Sequence, residues 1–382
     1  MAYLINEEDR DLLETVREFA EKEIKEQSKE WEKDGNVPQE LYDQMAEMGL
    51  YCLEIPEENG GLGISKITAA ALYEEIARAD SGVAMTILAT NLAYTTVKIA
   101  GNDEQKQHVA DMIMEGKHGA FCLTEPSAGC DASNSKCTAV KDGDDYILNG
   151  RKCFITNGSL ADWYVITAVT DKSVPAVKGI SAFLVEKDKV AGLSSGNHED
   201  KMGIRCSDTC DVVMEDVRVP ASCMLGELNK GYKYAMMTLD VTRTWVGVVA
   251  TGISQRCIDE AVAYGKQRVT FGKQILKHQA LAFKVADMAM RTETARQMCA
   301  HSLTLMEVGK PYSTESSIAK AYAGDCAVQN AVEAIQILGG YGYSKEYPVE
   351  KLLRDAKIFQ IFEGTNEVQR IVIARNTIGK FE

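Results

Sequence analysis

Through the first hundred or so residues, apolar positions recur every three or four. Over 8–31 the residues Leu12, Leu13, Val16, Phe19, Ala20 and Ile24 keep that spacing, which predicts one charged amphipathic helix. Val37-Pro38 opens a second helix that ends near Gly49, and Glu58-Asn59-Gly60-Gly61-Leu62-Gly63 reads as a loop. Further helices are predicted near 65–79, 83–100 and 103–115. From about 119 to 225 the pattern changes. Lys141-Asp142-Gly143-Asp144-Asp145 and Asn149-Gly150 are turn signals between short β-branched and aromatic runs, as hairpins require. Further strands are predicted at 163–169, 180–185 and 210–217, and Pro220 marks the exit. After about 229 the helical period returns. Val246, Val249, Ile253, Cys257, Ala261 and Tyr264 define one long helix, and two more fit 274–308 and 313–338. The order is helical, β, helical, with expected domains 1–118, 119–228 and 229–382.

Composition narrows the function. The chain has 382 residues, 45% hydrophobic and 26% charged, enough for two or three packed units of an ordinary globular protein. A net charge of −14 argues against general nucleic-acid binding. It leaves room for a phosphate-bearing ligand held by helix N-termini and a few basic groups. None of the eleven cysteines forms a C-x-x-C pair, and five scattered histidines add no ligand cluster, so no metal site is expected. The cysteines read as small buried hydrophobes in a reducing compartment. The acidic, amphipathic start resembles neither a signal nor a transit peptide, and no apolar run approaches the roughly 18 residues a bilayer span needs. The expected location is cytoplasmic, without membrane insertion.

Four segments could carry chemistry. Leu123-Thr124-Glu125-Pro126-Ser127-Ala128-Gly129-Cys130-Asp131 leaves a predicted strand with small residues and free backbone N–H groups. Such a loop can hold the polar edge of a flat cofactor or a pyrophosphate, or simply join two strands. In Phe154-Ile155-Thr156-Asn157-Gly158 an aromatic ring and a hydroxyl two residues apart share one strand face, as a flavin wall would need and as a half-buried strand also has. Gln336-Ile337-Leu338-Gly339-Gly340-Tyr341-Gly342 ends a long helix, where glycines cap or admit a ligand. In Phe362-Glu363-Gly364-Thr365-Asn366-Glu367 a glutamate lies between an aromatic residue and glycine, just before a helix that Thr365 could cap. A carboxylate in apolar surroundings suits proton abstraction; one in a solvated loop does nothing.

Together, and in this order, these segments resemble the acyl-CoA dehydrogenase family along essentially the whole chain. Gln267-Arg268-Val269-Thr270-Phe271-Gly272-Lys273 and Tyr347-Pro348-Val349-Glu350-Lys351-Leu352 through Arg354-Asp355-Ala356-Lys357 are similar to its short- and medium-chain members. The resemblance implies an α+β multidomain fold: an N-terminal α-helical domain, a middle antiparallel β domain and a C-terminal four-helix-bundle-like domain. It implies FAD as cofactor, electron-transfer flavoprotein as electron partner and a homotetramer. Phe121, Leu123, Thr124, Gly129 and Cys130 would lie along the flavin and its pyrophosphate. Phe154, Ile155 and Thr156 would cover the isoalloxazine. Arg268, Thr270, Phe271, Gln279, Gln336, Leu338, Gly339 and Gly340 would complete a neighbouring subunit's FAD site, with Thr365 and Glu367 beside the cofactor. Asp240, Arg243, Gly364 and Cys130 would meet the substrate, with Leu88 to Thr96 and Tyr341 to Tyr343 as candidates for the floor of its acyl pocket.

Glu363 matches the family's catalytic base. Branches that place this glutamate on the long helix would carry it at position 242, which is Thr242 here. The implied reaction moves the α-proton of an acyl-CoA to Glu363 and a β-hydride to flavin N5. The Glu363 N–H and a ribityl hydroxyl would steady the enolate oxygen. Three positions depart from the family pattern: Cys130 stands at a usual serine or threonine, Phe154 at a tryptophan and Phe362 at a tyrosine. The last two make the site more apolar. The direction could run in reverse, as an enoyl-CoA reductase. A desulfinase or oxidase on the same fold, or a non-catalytic scaffold with a vestigial flavin site, remains open at this point.

Overall fold

In the computed structural model, which describes residues 3–379, the N-terminal apolar stripe folds as two helices and not one. Helix α1 (Arg10–Phe19) runs into a π-helical stretch at Ala20–Lys25, and α2 (Ser28–Asp34) follows. Spacing explains the break. Val16, Ala20, Ile24 and Ser28 recur every four residues, whereas an α-helix turns every ~3.6, so their stripe would rotate off the core. The wider π turn realigns them, and all four are buried.

Helices α3 (Gln39–Glu47), α4 (Lys66–Ala79), α5 (Ser81–Ala100) and α6 (Asp103–Met114) complete the first helical unit. Their starts are chemically marked. Ser65 Oγ accepts the Thr68 N–H, Asp80 accepts the N–H groups of Gly82 and Val83, and Asn102 forms a capping box with Gln105. Contrary to the sequence expectation, α5 is long and apolar enough by composition to cross a membrane. It is instead a core helix, with 83% of its most apolar stretch buried inside the fold.

The middle unit contains β1 (Gly119–Cys122), β2 (Thr138–Asp142), β3 (Asp145–Thr156), β4 (Trp163–Val169), β5 (Ile180–Glu186), β6 (Leu193–His198), β7 (Thr209–Pro220) and β8 (Met224–Leu225). The strand order is β6-β7-β3-β2-β4-β5-β8, with β1 added on β4. Most ladders are antiparallel, as expected. The β1–β4 ladder is parallel, and β2 meets β4 in parallel at a single pair, Thr138 with Val169. The chain leaves β1 through a long loop and passes through the β2–β3 hairpin before β4, which lets β1 and β4 run the same way. Val165 and Leu184 face the helices, while Tyr164, Ile166 and Phe183 form the sheet's own core, as strand alternation dictates.

Helix α7 (Gly231–Gln267) is followed by the hairpin β9 (Val269–Thr270) and β10 (Lys273–Gln274), then α8 (Gln279–Glu307), α9 (Ser313–Leu338), α10 (Val349–Ile358) and α11 (Asn366–Ile378). Helix α8 starts five residues later than periodicity predicts, because β10 and a short 3₁₀ turn take up 273–277.

A buried ionic cluster ties the three parts together. Lys351 of α10 donates to Asp80, the cap of α5, at 2.8 Å and to Asp355 at 2.5 Å. Asp355 also accepts the N–H of Ile204 from the β unit at 2.6 Å. Lys351→Met would leave two buried carboxylates without their cation, so it should cost about 3–5 kcal/mol in denaturant unfolding. A loss below about 1 kcal/mol would show that the cluster does not hold the parts together.

Candidate active site

Glu363 lies between α10 and α11 with φ at 54°, and Gly364 follows at 85°. Left-handed backbone is strained for a glutamate and persists only where its surroundings enforce it. Here they do. Gln369 donates to the carbonyls of Glu363 (3.0 Å) and Gly364 (2.9 Å), and Lys320 Nζ of α9 donates to the Gly364 carbonyl at 2.8 Å. A Cβ on Gly364 would come within 2.7 Å of Gln369 Nε2 and push that amide aside, and its left-handed φ itself favours glycine. Asn366 locks the other end to Ala321 and Asp325 of α9. Thr365 Oγ1 accepts the Val368 N–H to start α11, and Glu367 places an acidic group in the first turn, where the helix dipole favours it.

The Glu363 carboxyl faces α7. Thr242 Oγ1 donates to its Oε1 at 3.3 Å. The neighbouring Arg243 is buried and paired with Asp240, whose carbonyl accepts from Ser316 at 2.6 Å. The residue keeps part of its surface open, but its carboxyl end is enclosed. Desolvation raises the pKa to about 7 against the opposing pull of Arg243, Thr242 and Lys320. A carboxyl poised near neutrality is suited to general-base work.

The sheet residues expected to lie along a flavin occupy the edge of β1 and a bulge of β3. Phe121 is in β1, with Leu123 and Thr124 just beyond it. Glu125 and Ala128 close a tight turn by exchanging backbone hydrogen bonds, and Gly129 and Cys130 are exposed, with open space where a Gly129 Cβ would stand. The turn rests on a buried pair: Lys152 Nζ donates to Glu125 (2.8 Å), the Leu123 carbonyl (3.1 Å) and Thr167 (3.2 Å). Burial alone would push the Glu125 carboxyl up, but Lys152 and donors from Ser135 and Lys136 hold it at about 2. Where β3 slips register against β7, Phe154 takes a φ of 55° and turns outward, 63% exposed. Ile155 beside it is buried and Thr156 half-buried.

Arg268, Thr270, Gln336, Leu338, Gly339 and Gly340 line one cavity of about 700 Å³ between α7 and α9. Arg268 stacks over Tyr341, and the space beside Gly339 and Gly340 is open. A cation, polar side chains and an open glycine shelf fit the phosphates of a dinucleotide. No residue of the β1 loop, of Phe154–Thr156 or of the Glu363 loop lines this cavity. Phe271, at the hairpin tip, and Gln279, first in α8, are exposed and stand outside its walls.

Two expectations change. Tyr341 lines this cavity and Tyr343 is 89% exposed, so neither floors a pocket at Glu363. At the end of the 88–96 segment, Thr96 hydrogen-bonds Thr238 of α7 at 2.9 Å, one turn before Thr242. Sequence reading missed Lys320, Gln369 and the Lys152–Glu125 pair. The available signal for Lys320 was a lysine set among alanines on the buried stripe of α9.

The described geometry has counterparts over the whole chain. Residues 6–117, 120–217 and 229–378 match the N-terminal, middle and C-terminal domains of acyl-CoA dehydrogenases. The chain belongs to the acyl-CoA dehydrogenase family. This is a family of FAD flavoproteins and oxidoreductases. The chain is 44% identical over 381 residues to the short-chain-specific acyl-CoA dehydrogenase of Megasphaera elsdenii, covering 97% of this chain and 98% of that one. The solved butyryl-CoA dehydrogenase of the same organism superposes with a TM-score of 0.95 at 42% identity, over 99% of this chain and 100% of that one. The CarC subunit of the caffeyl-CoA reductase–Etf complex of Acetobacterium woodii is 44% identical, over 97% of this chain and 98% of its own.

The raised pKa of Glu363 makes a stability prediction for this acyl-CoA dehydrogenase. A carboxyl with a folded-state pKa above its unfolded one stabilises below about 4.5, and that contribution is lost as pH rises through about 7. Glu363→Gln should therefore gain melting temperature relative to wild type between pH 5 and pH 8, on the order of 3 °C. A wild-type-minus-variant difference that does not vary with pH would contradict the burial of this carboxyl.

Proposed function

We propose that this chain dehydrogenates a short- or medium-chain acyl-CoA thioester at its α and β carbons, with Glu363 as the base. The observation that carries the reading is the Glu363 carboxyl itself: enclosed, pushed to about 7 and set on a loop pinned by Gln369 and Lys320. Position 242, the alternative place for a base, is a threonine that donates to Glu363. FAD, when bound, supplies the two-electron acceptor for the β-hydride. The β1 loop through Cys130 and the Phe154–Thr156 bulge would hold its ring, with Thr365 and Glu367 beside it. Arg268, Thr270, Phe271, Gln279, Gln336, Leu338, Gly339 and Gly340 would serve the cofactor of a second copy, since the cavity they form or border shares no wall with the first set.

Substrate would enter along α7. Arg243 is 6% exposed and its Nε has no partner, which leaves a buried donor for the thioester arm beside Asp240 and Gly364. The acyl chain would run between α5 and α7, past Thr96 and Thr238. Glu363 takes the α-proton, and its own N–H steadies the developing enolate oxygen. The Etf-complex relative supports electron-transfer flavoprotein as electron partner, and the family supports a homotetramer working in the cytoplasm. The same groups serve the reverse direction by microscopic reversibility, with Glu363 returning the proton; the 44% identity to a caffeyl-CoA reductase subunit favours that second reading.

Anaerobic mixing of the FAD-loaded protein with straight, branched and aryl acyl-CoAs tests the proposal. Short straight chains should bleach the flavin fastest. Glu363→Gln should keep FAD and bind acyl-CoA, yet reduce the flavin about 10²–10⁴-fold more slowly. Wild-type bleaching rates in that variant would remove Glu363 as the base.

A further inference from the structure

Three lysines among the described residues are buried: Lys152, Lys320 and Lys351. Two have carboxylate partners. Lys152 meets Glu125 at 2.8 Å, and Lys351 meets Asp80 and Asp355. Among the described residues, Lys320 forms no ion pair within 4.0 Å. Its ammonium donates to two neutral oxygens, the Gly364 carbonyl at 2.8 Å and Asn366 Oδ1 at 2.9 Å. A buried ammonium with no anion to balance it is costly, so its charge calls for a partner.

The surrounding charges identify that partner. On α7, Arg243 is paired with Asp240, and Thr242 is neutral. On α9, Asp325 is paired with Arg370 of α11 at 2.8 Å. Glu367 of α11 is exposed. Two enclosed charges remain, Lys320 and Glu363, and they are joined through the Gly364 peptide. We infer that Lys320 is a counter-cation of the Glu363 loop, a positioning residue that pins the Gly364 carbonyl and joins Arg243 in keeping the base ionised. The inference rests on the reading of Glu363 as the base.

The titration pattern agrees with the geometry. Burial lowers the Lys320 pKa to about 8, and Glu363 is the largest influence raising it; Lys320 in turn pulls Glu363 down, after Arg243 and Thr242. Removing the positive charge should therefore raise the Glu363 pKa and shift the acid limb of activity upward.

The test is the pH dependence of anaerobic flavin bleaching by butyryl-CoA in wild type, Lys320→Arg, Lys320→Gln and Lys320→Met. Wild type should lose rate below about 7. Gln and Met should move that limb up by about half a pH unit, lowering the rate at pH 6.5 about threefold and recovering it above pH 9. Arg should keep the wild-type limb. A cofactor-free readout should move in parallel: the pH at which the unmodified Glu363 loses melting temperature relative to Glu363→Gln should rise in a Lys320→Gln background. The Gln and Arg pair decides the matter if Met does not fold. An unshifted limb in Gln, or a loss equal at every pH, overturns the role of Lys320. Failure of wild type to bleach with any CoA thioester would instead sink the reading of Glu363, a distinguishable result.

Discussion

As the proposed base, Glu363 would have to be dry to be strong and ionised to act at all, and these demands oppose each other. Desolvation alone would leave the carboxyl protonated. The structure counters it with Thr242 donating to the carboxyl, Arg243 beside it and Lys320 behind the loop. None of these is on the same element as Glu363. In that role it could work only with α7, α9 and the α10–α11 loop held together, and much of the remaining architecture does that.

The same rule of paired burial recurs elsewhere in the chain. Lys351 binds the cap of α5 to α10, and through Asp355 to Ile204 of the β unit. Lys152 binds β3 to the β1 loop, so the turn that exposes Gly129 and Cys130 rests on a fully buried ion pair. Arg296 of α8 does the same for α4 through Glu74, at 2.6 Å. Such pairs add little net stability compared with apolar packing, but breaking one leaves an uncompensated charge. They make each relative placement of parts close to all-or-none, which suits a site assembled from several parts.

Periodicity made much of this legible. The strand at 163–169 and the helix at 313–338 appear with the predicted bounds, because each has an uninterrupted apolar pattern of one period. The π-helical stretch at Ala20–Lys25 was hidden, since a four-residue spacing looks helical until it has to stay in register with a core. The parallel β1–β4 ladder was hidden because pairing across a long loop leaves no local mark. The candidate site was legible as a set of motifs in order, and not as geometry. Of seven non-glycine residues with positive φ among the described residues, Phe154, Asn157, Phe271 and Glu363 fall in motifs singled out from sequence, so local strain and candidate chemistry coincide at those positions. Tyr341 follows the glycine motif so closely that sequence could not say which cavity it would join. Lys320 had no motif to announce it; its role depends on which charges remain unpaired after folding.

The division of the proposed cofactor residues into two sets has a physical consequence. The β1 loop and Phe154 offer an open aromatic face and an open glycine, while the Arg268 cavity offers a cation and the open shelf of Gly339 and Gly340. A flat ring suits the first set and phosphates suit the second. Because the cavity shares no wall with the sheet-side residues, one cofactor would use both sets only by bridging two copies of the chain. The exposed Phe271 at the tip of the β9–β10 hairpin, 96% accessible in the single chain, is an apolar group that such a second copy would cover. Cofactor binding and assembly would then draw on the same residues, so each should strengthen the other.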